Sequence, residues 1–139
     1  MHQQDIGAFV NSWVIQSNLY SVPLNVKSML TLQEVAIEFN SQEFVLKTQQ
    51  QIAKDYYPSG VQFSAKFGSD IMVTKELIAE VQNAIEEVVE MNGLQQLMYQ
   101  IDIPEKVYVA LLNDTEFSSQ MAEIILRREA YKVFLRSQF

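Results

Sequence analysis

The stretch TKELIAEVQNAIEEVVEMNG, residues 74–93, decides the fold class. Leu77, Ile78, Val81, Ile85, Val88 and Val89 fall at i, i+1, i+4, i+8, i+11 and i+12, one apolar stripe of an α-helix, while Glu76, Glu80, Gln82, Asn83, Glu86, Glu87 and Glu90 fall mostly elsewhere. Thr74 is the expected cap of the first turn, and Gly93 is the expected left-handed residue that ends the last. At 1.5 Å per residue the helix is roughly 28 Å long, about the width of a small domain. Its stripe requires other helices alongside.

Upstream, Ile6, Phe9, Val10, Trp13 and Val14 predict an amphipathic helix over residues 4–17, with Trp13 as its anchor. Pro23 holds Val22 extended and makes residues 21–28 a connector. Leu32, Val35, Ala36 and Phe39 restore helical spacing. The run Asn40-Ser41-Gln42-Glu43 then reads as a capping box that restarts the helix, although one continuous helix over about 30–57 also fits. Phe44, Val45, Thr48, Ile52 and Tyr56 share one side of the second piece, with Gln49, Gln50, Gln51 and Lys54 expected toward water. Tyr57-Pro58-Ser59-Gly60 ends it. Of the pair Tyr56 and Tyr57, only one can face inward. Val61, Phe63, Ala65 and Phe67 alternate with Gln62, Ser64 and Lys66 at the period of a half-buried strand. A strand needs a partner, and the candidates are 22–26 or 99–103; the alternative is an extended loop with Phe63 and Phe67 as plugs.

Downstream, Leu94, Leu97, Met98 and Ile101 favour a helix over the alternation of Tyr99, Ile101 and Ile103. Pro104 suits the first turn of a short helix with Val107, Tyr108 and Leu111 inward, and Asp102 reads as its cap. Asn113-Asp114-Thr115-Glu116 supplies caps for a last helix carrying Phe117, Met121, Ile124, Ile125 and Tyr131, then Val133, Phe134, Leu135 and Phe139. The expected fold is an all-α single-domain bundle of five or six helices over residues 1–139, with 74–93 and the last helix as the inner pair and a short extended segment or hairpin near 61–67.

Composition narrows the function classes. The 139 residues suffice for a core without staples, and four glycines with three prolines favour long helices over many turns. The absence of cysteine excludes disulfides, thiol nucleophiles and cysteine metal sites, and it points to a reducing compartment, so the expected location is the cytoplasm. The start of the chain lacks the positive flank of a signal peptide, and the longest apolar run, 107–112, is far short of the roughly 20 residues of a membrane span. A formal charge of −7 opposes nucleic-acid binding. Charge is uneven: residues 76–90 hold five acids and no base, whereas Arg127, Arg128, Lys132 and Arg136 surround Glu129. The basic cluster reads as side chains near a helix C-terminus or as a docking patch.

Catalytic motifs are missing. His2, the single histidine, lies in the first residues, where a triad or metal site has little support. There is no Glu-x-x-His pair for a di-metal bundle and no glycine-rich phosphate loop, so no cofactor, metal or catalytic residue is expected. Glu34 with Glu38 and Glu86 with Glu90 share helix faces but read as solvated charges. The sequon Asn113-Asp114-Thr115 has no meaning in a chain expected to stay in the cytoplasm. Trp13, Tyr56, Tyr57, Phe63 and Phe67 are candidates for an aromatic pocket, though core packing is their commoner use. Asp102, flanked by isoleucines, is the candidate pocket carboxylate; with Tyr99, Tyr57, Arg127 and Arg128 it makes up the candidate interaction or pocket set. The expected function is a non-enzymatic protein-interaction or homo-oligomerising domain, ahead of a small-molecule binder with an aromatic pocket and of a carboxylate-dependent enzyme.

Overall fold

The structure is a computed structural model and describes residues 28–138. The expectations for the helix over 4–17, for Pro23 and residues 21–27, for His2 and for Phe139 lie outside the described residues. Six α-helices follow one another: α1 (Leu32–Glu38), α2 (Gln42–Tyr56), α3 (Thr74–Glu90), α4 (Leu94–Ile101), α5 (Glu105–Val109) and α6 (Phe117–Gln138). Two single-turn 3₁₀ segments, Tyr57–Ser59 and Ala65–Gly68, lie between α2 and α3. No strand occurs among the described residues, so the chain there is all-α. None of these helices is long and apolar enough to cross a membrane.

The most extensive helix contact is α3 with α6, the expected inner pair. The hub, however, is α6. Its buried residues Gln120, Met121, Ala122, Ile124, Ile125, Leu126, Arg128, Glu129, Ala130 and Val133 face every direction around the axis, and α1, α2, α3 and α4 all pack on it. In α3 the stripe Leu77, Ile78, Val81, Ile85 and Val88 is buried with Ala84, but Val89 is exposed. Ser118 at the start of α6 bonds Gln82 and Glu86 in the second half of α3, donating to Glu86 Oε1 at 3.1 Å.

Both expected ends of α3 are corrected. The N-cap is Val73, and the Thr74 hydroxyl is buried without a partner. At the other end Asn92, with φ +57°, takes the left-handed conformation, while Gly93 N–H donates to Val88 O at 2.9 Å and Asn92 N–H to Val89 O at 3.1 Å. This is the paired-bond stop in which asparagine replaces glycine. The end of α4 repeats it: Asp102 has φ +68°, and Ile103 N–H donates to Met98 O at 2.9 Å. Asp102 therefore ends α4, and Pro104 is the residue that opens α5.

Residues 30–57 form two helices. A reciprocal box opens α1, with the Thr31 hydroxyl accepting from Glu34 N–H at 3.1 Å and Glu34 Oε1 accepting from Thr31 N–H at 2.8 Å. The cap of α2 is Ser41, one residue beyond Asn40, accepting from Phe44 N–H at 3.2 Å.

The three glutamines of α2 do not all face water. Gln49 is 0% exposed and Gln51 is buried. Gln49 Nε2 donates to Phe67 O at 2.7 Å and to Asp70 O at 2.8 Å, and its Oε1 accepts from Met72 N–H at 2.9 Å. One amide thus satisfies three backbone groups that a neighbouring strand would have paired. The 61–67 alternation belongs to a loop: Phe63 stacks on Phe67 at 4.1 Å and meets Tyr56 edge-on at 5.1 Å, so both phenylalanines plug the core. The segment 99–103, a candidate strand partner, is mostly helical.

Candidate functional site

The seam of α2 and α6 buries three ionisable side chains. Gln51 and Asp55 are four apart on α2; Glu129, Lys132 and Val133 follow at i, i+3 and i+4 on α6, so each set shares a face. Lys132 Nζ donates to Asp55 Oδ2 at 2.7 Å, and Gln51 Nε2 donates to the same oxygen at 3.0 Å. The same ammonium lies 3.1 Å from Glu129 Oε1, too oblique for a hydrogen bond, and neither Glu129 oxygen receives any other donor. The Glu129 and Asp55 carboxyl groups also act on each other, and a hydrogen bond between two carboxyls requires a proton on one of them.

Environment assigns that proton. Glu129 is 0% exposed, and burial, followed by the hydrogen bond to Asp55 and the Asp55 charge, pushes it up to about 9 against the opposing pull of Lys132. Burial acts on Asp55 in the same sense, but hydrogen bonds from Glu129, Lys132 and Gln51 with the Lys132 charge outweigh it and hold Asp55 below its ordinary value. Tyr56 next along α2 is raised by burial and then by Glu129, and its hydroxyl is buried without a partner. The environment therefore favours the proton on Glu129 and the charge on Asp55.

Above this cluster, a groove of about 630 Å³ opens between α2 and the last turns of α6. Phe44 and Val133 form its apolar floor with Gln51 beside them; Lys47, Lys54 and Arg136 supply positive charge, and Glu38 and Glu43 negative. Glu43 is paired with Lys47 at 3.0 Å, whereas Lys54 and Arg136 make no ion pair among the described residues. Asp55, Glu129 and Lys132 do not line the groove; Gln51 belongs to both the groove and the cluster.

The residues singled out by sequence fall elsewhere. Asp102 and Arg128 are brought together at 2.9 Å, but the Asp102 side chain is 83% exposed and lines no pocket. Arg128 also donates through Nε to Ile101 O at 3.1 Å, in the last turn of α4, and through Nη1 to Ser28 O at 2.9 Å. Arg127 donates to Leu30 O at 2.8 Å. Both arginines thus serve as ties between segments, and neither lines the groove. Tyr99 and Tyr57 lie on the surface, also away from the groove, while Tyr56 is the inward member of its pair. Of the paired acids, Glu34 belongs to the α1 capping box and Glu86 accepts from Ser118. No group of three or more acidic or histidine side chains able to hold a metal occurs among the described residues.

Asp55, Glu129 and Lys132 escaped the sequence reading because Arg127-Arg128-Glu129 looks like a solvated charge run. Their phase was the available signal. Glu129 is four residues from both Ile125 and Val133, inside an apolar face, and Asp55 is three from Ile52. No protein family, no curated protein and no solved structure matches this chain.

Proposed function

We propose that this chain is a non-enzymatic protein-interaction domain whose α2–α6 groove takes an acidic segment of a partner protein. The observation that carries the reading is the groove itself: an apolar floor at Phe44 and Val133 with three bases against two acids around it, of which Lys54 and Arg136 make no ion pair among the described residues, in a chain of formal charge −7. Local positive potential on an otherwise acidic surface selects and steers a negative ligand. Along α2 the lining runs from Glu43 to Lys54, roughly 16 Å, which accommodates two to three turns of a helix or about five extended residues. The strongly perturbed carboxyl, Glu129, lies beneath the groove and away from its lining, which favours binding over acid–base chemistry on a ligand. The cysteine-free composition suits a reducing compartment, and the cytoplasm is proposed as the setting.

The test compares the tagged full chain with its Lys54→Glu/Arg136→Glu variant, each purified at low salt from the native host. Mass spectrometry and the mass of the eluted complex provide the readout. The expected result is a stoichiometric partner on the wild-type chain that is lost from a variant with unchanged circular dichroism. A clean monomer, a partner held equally by the variant, or self-association indifferent to both substitutions would overturn the groove as the interaction surface.

A further inference from the structure

Asp55, Glu129 and Lys132 bring two acids and one base into a seam where the side chains are 10%, 0% and 19% exposed. Were all three ionised, the seam would hold a net negative charge, and Glu129 would keep it on two oxygens that receive no hydrogen bond. Buried carboxylates are sustained by donors, and only the Lys132 ammonium, already bonded to Asp55, stands near these oxygens. A neutral Glu129 removes the excess charge and turns the carboxyl into a donor for Asp55, as in other carboxyl pairs that share one proton. The ionisable groups acting on Glu129 are Asp55 and Tyr56 from α2 and Lys132 from α6 itself; among the described residues no other element contributes one.

We infer that Glu129 is held as the neutral acid donating to Asp55, and that this buried proton regulates the groove through Gln51, which binds Asp55 from the groove floor. The consequence for binding rests on the groove being the interaction surface; the location of the proton does not. Loss of the proton to solvent breaks the Glu129–Asp55 hydrogen bond and leaves two carboxylates competing for Lys132. Asp55 then loses part of its hold on Lys132, and Gln51 loses its fixed acceptor. Partner affinity accordingly falls as pH rises.

The direct test is a carbon-detected NMR titration of the full chain with labelled Glu, Asp and Gln side chains. The Glu129 carboxyl carbon is expected to stay constant through the ordinary carboxylate range and to move with a midpoint near 9. The Gln51 side-chain amide is expected to move with the same midpoint and to lose that transition in Glu129→Gln, which keeps a donor facing Asp55. A Glu129 carbon that titrates with the surface glutamates would overturn the proton. A Gln51 amide indifferent to the Glu129 transition would overturn the coupling, and the wild-type titration decides both points even if the variant folds poorly. A groove that captures no partner would leave both transitions in place, so failure of the interaction reading is distinguishable from failure of this one.

Discussion

Arg128 and Glu129 are adjacent in the sequence and both buried, yet α6 turns them to opposite fates. Arg128 finds an acceptor for each arm of its guanidinium: the carbonyls of Ile101 and Ser28 inside, and exposed Asp102 outside. Glu129 has only the oblique Lys132 ammonium, 3.1 Å from Oε1, and no hydrogen bond to either oxygen. A permanent cation saturated with acceptors is a fixed strut, whereas an acid starved of donors keeps its proton. The lesson is that the tally of donors against acceptors around a buried charge decides whether it becomes pH-sensitive.

The largest expected effect comes from removing the cation on the Glu129 side. Lys132→Met leaves Asp55 buried without its counter-ion and should cost about 4 kcal/mol in a urea unfolding experiment at pH 7. Next, Arg128→Ala orphans the Ile101 and Ser28 carbonyls and should cost about 3 kcal/mol, with little change in the pH dependence of stability. A strongly pH-dependent loss in Arg128→Ala would erase the contrast between the two neighbours. Gln49→Leu extends the saturated case to a neutral side chain: three hydrogen bonds to the 67–72 backbone disappear, for about 2 kcal/mol and faster exchange of the Met72 amide. Smallest is Asp102→Asn, which removes an ion pair whose acid faces water but keeps a residue tolerant of the left-handed conformation, and should change stability by under about 1 kcal/mol.

Much of the fold was legible because it follows from apolar periodicity. Leu77 to Val88 in α3, Leu97, Met98 and Ile101 in α4, and the inward Tyr56 beside outward Tyr57 were readable on that ground. Where polar side chains occupy inward phases, the same reasoning fails. Gln49 and Gln51 look like ordinary surface residues until the loop carbonyls and the Asp55 carboxylate they bind are in place. The choice of Asn92 over Gly93 as the left-handed stop depends on where the last α3 turn closes, a matter of one residue that periodicity does not determine. The centrality of α6 was hidden for a related reason, since a helix buried on all sides and containing Gln120, Arg128 and Glu129 has no clean apolar stripe. The candidate site suffered most, because Asp102 stood out locally while Glu129 was disguised by its two arginines.

The two acids of the seam also have opposite pH signatures. Asp55, held below its ordinary value, contributes stability that is present above its unfolded value of 3.8 and is lost as pH falls through its folded value. Glu129, raised, imposes no cost below its unfolded value of 4.5, and its contribution is lost progressively as pH rises toward about 9. Urea unfolding of the wild type and Glu129→Gln at pH 5.5 and pH 8.5 therefore tests the central claim most directly. The account predicts that the wild-type unfolding constant rises with pH, by up to roughly tenfold per pH unit, relative to that of the variant. Parallel stability of the two proteins at both pH values would mean that Glu129 is ionised in the folded chain, and the neutral-acid account would be wrong.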